Sequence, residues 1–96
     1  MTTLDLQAYL TERLALHAPR RVSQPDLAEA GVLVAITMEA EPHVILTRRA
    51  THLSSHKGEV AFPGGKRDPE DENIVVTALR EAQEEVALNP SDVMVL

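Results

Sequence analysis

The sequence predicts a small mixed α/β (α+β) domain, on three observations. Leucines recur at every fourth position near the N-terminus, at Leu6, Leu10 and Leu14. Two apolar runs rich in β-branched residues, Gly31–Met38 and His43–Arg48, flank a short polar turn. An apolar stripe of helical period, Ile74, Ala78, Leu79 and Ala82, runs through an otherwise acidic segment.

The leucine period predicts an amphipathic helix over 4–17, with Tyr9 and Leu16 beside the stripe and Pro19 just past the end. Residues 20–29 contain Pro25 and no periodicity and read as a connector. Gly31–Met38 is continuously apolar and is expected to be a strand buried on both faces. Residues 39–42 form a turn, and His43–Arg48 returns as the second strand of an antiparallel hairpin. After a loop from Arg49 to Gly58, Glu59–Phe62 reads as a short strand stopped by Pro63-Gly64-Gly65. A polar turn over 68–72 leads into a helix over 73–86, capped by Asp71 or Asn73. Asn89-Pro90-Ser91 breaks the chain, and Val93–Leu96 is expected to begin another strand.

The 96 residues allow one domain. Ending inside an apolar strand, with a thin set of elements, they are expected to be the N-terminal portion of a longer protein, truncated at the C-terminus. Residues 1–29 would be a helix and connector, and residues 30–96 the first part of the principal domain. The alternative is a homodimer in which each copy completes the other's sheet.

Composition narrows the function classes. Tyr9 and Phe62 are the only aromatics, so the core is expected from Leu, Val, Ile and Ala, and a base-stacking platform is excluded. A net charge of −6 argues against a nucleic-acid surface. There is no cysteine, hence no disulfide framework or thiolate metal site. Val32–Ile36 is far too short to cross a bilayer, and the first residues lack a signal-peptide pattern, so a soluble, cytoplasmic protein without membrane partners is expected. Met38, Met94 and Tyr9 read as ordinary core residues. His52 and His56 lack a nearby third ligand, and Ser54-Ser55 lacks the context of a nucleophile.

The charge is segregated. Residues 48–67 carry Arg48, Arg49, Lys57, Lys66 and Arg67 against the single acid Glu59, whereas residues 68–85 carry seven acids and the single base Arg80. Such a pattern suits either a solvated dipole or a place where a phosphate and a divalent cation meet. Glu81, Glu84 and Glu85 stand at i, i+3 and i+4, so their carboxylates share one helical face and repel. Three hard oxygen donors on a rigid face suit Mg²⁺ or Mn²⁺. The plain alternative is a solvated acidic face with Arg80 tethering Glu84. Upstream, Gly64-Gly65 lets backbone approach a ligand closely.

Gly65, then Arg80-Glu81-Ala82-Gln83-Glu84-Glu85, then Leu88 resembles the signature of the Nudix hydrolases. Six residues rather than five separate Gly65 from Glu72, so Asp71 or Glu72 fills the first acidic slot, and Ala87 stands where the family usually has glycine. Leu46-Thr47-Arg48-Arg49-Ala50 with Gly58-Glu-Val-Ala-Phe62-Pro-Gly-Gly65 resembles the coenzyme A pyrophosphatase branch, although Ser54 replaces its usual arginine. The signature region would span 58–88.

The resemblance implies an α/β/α sandwich with a mixed sheet and hydrolysis of a nucleoside diphosphate-linked small molecule. The substrate it implies is coenzyme A or an acyl derivative, giving 3′,5′-ADP and a 4′-phosphopantetheine product. It implies Mg²⁺ or Mn²⁺ on Glu81, Glu84 and Glu85, catalytic roles for Glu81, Glu84 and Arg80, and substrate contacts from Arg48, Lys57, Gly64 and Gly65. Arg80 would orient Glu81 or Glu85. Two rivals stay open: a Nudix hydrolase for another diphosphate, and an inactive interaction module that keeps only the metal helix.

Overall fold

The computed structural model describes residues 2–22, 24–48 and 58–96. Helix α1 spans Thr3–Leu16. Thr2 and Asp5 close its start reciprocally: the Asp5 amide donates to Thr2 Oγ1 at 3.2 Å and the Thr2 amide to Asp5 Oδ2 at 3.1 Å. Its stripe is shallow, because no α1 residue is buried. The helix touches the rest of the chain through Thr3 Oγ1, which donates to the Glu39 carbonyl, and through Gln7 Nε2, 3.3 Å from Met94 Sδ.

Strand β1 (Ala30–Val32) pairs antiparallel with β4 (Gly64–Lys66), in the register Ala30↔Lys66, Gly31↔Gly65 and Val32↔Gly64. Beyond β1 the chain forms the expected hairpin, with Ile36 opposite Val44. Its bonds run from the Thr37 amide to the His43 carbonyl (2.8 Å) and from the Ile45 amide to the Ala35 carbonyl (3.0 Å). Strand β2 (Thr47–Arg48) then pairs with β3 (Val60–Ala61). Helix α2 (Ile74–Val86) lies against β1 and β4, and a 3₁₀ turn, Pro90–Asp92, follows it.

Glycine sets the distance between helix and sheet. A Cβ on Gly31 would sit 2.8 Å from the Ile74 carbonyl oxygen and 2.9 Å from the Ala78 amide, so the bare backbone is what lets α2 settle directly on β1. The buried positions at this contact are correspondingly small: Thr77, Ala78 and Ala82, with Pro63 also enclosed.

Several expectations are corrected. The first strand is not buried on both faces: Val32, Val34 and Met38 are more than half exposed, while the alternate residues Leu33, Ala35 and Thr37 are half-buried. Side chains alternate across a strand, and α2 covers only one face. Gly64-Gly65 does not end the sheet but forms part of it, because β1 offers its backbone a partner. Val93–Leu96 makes no strand pairing among the described residues and instead follows the Pro90–Asp92 3₁₀ turn. Of the expected Leu, Val, Ile and Ala core, the buried apolar side chains among the described residues are the alanines Ala78 and Ala82. Tyr9, Met38 and Met94 are exposed rather than core, and Tyr9 instead carries the Arg13 guanidinium 5.4 Å from its ring centroid.

Asn73 rather than Asp71 caps α2, its Oδ1 accepting from the Val76 amide at 3.0 Å. At the other end Ala87 takes the left-handed conformation, with φ of 58°, and its amide returns to the Gln83 carbonyl at 3.1 Å. Among the described residues no helix is long and apolar enough to cross a membrane.

Candidate active site

The site grows from one buried carboxylate. Asp71 lies in the turn before α2 and is 5% exposed. Its Oδ1 accepts from Arg80 Nε at 3.1 Å. Its Oδ2 accepts from Arg80 Nη2, the Asp68 amide and Thr77 Oγ1, each at 2.9 Å. These donors, the Arg80 guanidinium first, hold its carboxyl well below the usual carboxylate range. The same contact raises the Arg80 pKa further.

So anchored, Arg80 distributes its remaining donors. Nη2 reaches the Lys66 carbonyl on β4 at 3.1 Å and lies 3.4 Å from Asp68. Nη1 donates to Glu81 Oε1 at 3.1 Å and to Glu84 Oε1 at 3.2 Å. The planar fork of arginine suits this branching; a lysine ammonium could not span it. Of the two acids Asp71 and Glu72, it is Asp71 that engages Arg80, while Glu72 is exposed. Arg80 engages Glu81 and Glu84, not Glu85.

Glu81, while held by Arg80, and Glu85 both reach β4. The Glu85 carboxylate accepts from the Gly64 amide at 3.3 Å. The Glu81 carboxylate lies across Gly65, where a Cβ would stand 2.6 Å from Oε1 and 2.8 Å from Oε2. Gly65 is thus a cradle that any larger residue would fill. Burial raises the Glu81 pKa, with Glu84 and Glu85 adding to the rise and Arg80 opposing it.

As they stand, Glu81 and Glu84 share Arg80 Nη1 while Glu85 accepts from Gly64, and no three His, Cys, Asp or Glu side chains converge to hold a metal among the described residues. The donor set nonetheless fits a hard divalent cation. All three are oxygen donors on one face, the Gly65 cradle keeps backbone clear beside Glu81, and Glu84 and Glu85 are exposed side chains that can change rotamer without moving the helix.

Of the remaining sequence candidates, Gly64 and Gly65 line this face from β4. Arg48 is exposed on β2, opposite Val60 and on a different sheet from β4. Lys57 lies outside the described residues, as do Arg49, His52, Ser54, Ser55 and His56. Sequence reasoning assigned no role to Thr77 or Asp68. Thr77 was findable, because it lies three residues before Arg80 and so shares its helical face. Asp68 was not, since its role depends on the fold of the 68–71 turn, closed by the Asp71 amide on the Asp68 carbonyl at 3.0 Å.

A family profile described as NUDIX domain matches residues 28–96. Proteins described as uncharacterized Nudix hydrolase NudL are similar to this chain. Those from Yersinia pestis (strain Pestoides F) and Yersinia pseudotuberculosis serotype O:1b (strain IP 31758) are each 58% identical over 67 residues, which is 70% of this chain and 34% of the relative. The chain spans about a third of the length of these relatives.

Proposed function

We propose, on the premise that this chain belongs to the Nudix family, that it serves the hydrolysis of a nucleoside diphosphate-linked substrate, coenzyme A or an acyl-coenzyme A. The products are 3′,5′-ADP and 4′-phosphopantetheine or its acyl form. The observation that carries the hydrolase reading is the Glu81 carboxylate laid across the Gly65 backbone and tied to Arg80, which is itself locked by buried Asp71. Such preorganisation costs a solvated acidic face nothing to lack, and a catalytic face needs it.

Glu81, Glu84 and Glu85 would hold Mg²⁺ or Mn²⁺. When bound, the cation supplies neutralisation of diphosphate charge and an attacking water of lowered pKa. The protein's own part is orientation. Arg80 fixes the rotamer of Glu81 and restrains Glu84, and the bare backbone of Gly65 on β4 leaves room for the Glu81 carboxylate. Arg48 and Lys57 would meet the 3′-phosphate that distinguishes coenzyme A from its 3′-dephospho form. The exposed guanidinium of Arg48 and the basic character of residues 48–67 support that assignment.

The test is a panel of diphosphate substrates with Mg²⁺ and with Mn²⁺, using the full-length protein. Coenzyme A should exceed 3′-dephospho-coenzyme A by about tenfold or more in kcat/KM, as a charge-assisted phosphate contact of roughly 1.5–3 kcal/mol requires. Arg48→Ala should shrink that preference. Equal rates on the two substrates would remove the coenzyme A assignment and leave hydrolysis of another nucleoside diphosphate derivative, which is the reading favoured by Ser54 in place of the branch's arginine. No hydrolysis of any diphosphate would leave an interaction module.

A further inference from the structure

Arg67 lies outside the Arg-Glu helix, yet its side chain joins three segments that meet behind the carboxylates. Nε and Nη2 donate to the Asp71 carbonyl at 3.3 and 3.2 Å, and Nη2 also reaches the Glu72 carbonyl at 3.3 Å. Nη1 pairs with Glu29 Oε2 at 3.2 Å, while the Arg67 amide donates to the Glu29 carbonyl at 2.9 Å. The Asp71 and Glu72 carbonyls precede the start of α2, whose first backbone acceptor here is the Asn73 carbonyl, bound by the Thr77 amide at 3.2 Å.

Asp71 is therefore held from both ends, its side chain by Arg80 and its carbonyl by Arg67. We propose that Arg67 is a positioning residue for the reaction: it fixes the backbone of Asp71, Asp71 fixes Arg80, and Arg80 fixes Glu81 and Glu84. An exposed Arg67–Glu29 ion pair would do little alone. The distinguishing feature is the fork on two successive carbonyls, which sets where the Asp71 carboxylate sits. The proposal rests on the hydrolase reading for its kinetic consequence, but not for its structural one.

The experiment combines Arg67→Ala with Asp71→Asn in the full-length protein. Turnover on the preferred diphosphate and the exchange rate of the Arg80 Nε–H, followed by NMR, are both measured. Partners that orient metal-site ligands are worth about 10–100-fold in activity. Arg67→Ala should lower kcat by about that factor with KM nearly unchanged and should speed Arg80 Nε–H exchange. In the Asp71→Asn background the same substitution should add less than about twofold, because the chain of contacts is already cut. Arg67→Lys, which keeps the charge but cannot form the fork on the two carbonyls, should act in the same direction, and it serves if Arg67→Ala does not fold.

A lower melting temperature with kcat and Arg80 exchange unchanged would overturn the proposal, as would full additivity with Asp71→Asn. If the parent hydrolyses no diphosphate while Arg67→Ala still frees the Arg80 Nε–H, the positioning role stands and the hydrolase reading falls.

Discussion

Substituting Gly65 by alanine tests the site most directly. The added Cβ would stand 2.6 Å from Glu81 Oε1 and 2.8 Å from Oε2, where ordinary contact begins near 3.4 Å. The carboxyl carbon is nearer still, so the carboxylate must retreat by about 1 Å. It cannot do so along its present line, because Arg80 Nη1 holds Oε1 at 3.1 Å and Arg80 is locked to Asp71. Either the Arg80–Glu81 bond stretches or the side chain leaves its rotamer. A displacement approaching 1 Å at a reacting centre costs on the order of 100-fold in rate, so kcat should fall by about 10–100-fold. The strand itself should survive, since alanine is tolerated in the β region that Gly65 occupies opposite Gly31. The measurements are kcat for diphosphate hydrolysis by the full-length protein and its thermal unfolding. Turnover within twofold of the parent, in a protein that unfolds at the parent's temperature, would show that the Glu81–Gly65 contact has no catalytic meaning.

Three further outcomes are expected. Ala87→Gly should stabilise the protein by about 0.5–1 kcal/mol, because a left-handed residue costs an L-side chain roughly 1–2 kcal/mol and glycine gives part of that back as chain entropy; equal or lower denaturant midpoints would contradict the φ of 58°. Asp71 is held below the usual carboxylate range, so its contribution to stability is fully present above the ordinary value of 3.8 and disappears as pH falls through the lowered folded value. The stability gap between the parent and Asp71→Asn should accordingly be constant near neutrality and close only in strong acid, and a gap that closes between pH 7 and 5 in urea titrations would refute this. Calorimetric titration with Mn²⁺ should show weaker binding in both Glu81→Gln and Glu85→Gln, whereas parent-like affinity in both would return the helix to a solvated acidic face.

The helices and the hairpin were legible because their determinants are local. The leucine period of α1, the apolar stripe of α2 and the turn between Met38 and His43 each act within a few residues, so spacing alone locates them. The shared face of Glu81, Glu84 and Glu85 follows from helical geometry in the same way. Gly64-Gly65 was misread because its pairing depends on β1, more than thirty residues earlier, and glycine carries no side-chain pattern to betray a strand.

Sequence by itself located the two helices to within a residue or so and showed which carboxylates share a face, since those properties depend on neighbours one turn away. Only the tertiary arrangement decided that Asp71 and not Glu72 engages Arg80, that Arg80 turns to Glu81 and Glu84, and that Gly65 makes room for Glu81. Those choices are made by the close approach of α2 to β1 and β4 across Gly31, a distance set by contacts between segments that no local spacing encodes.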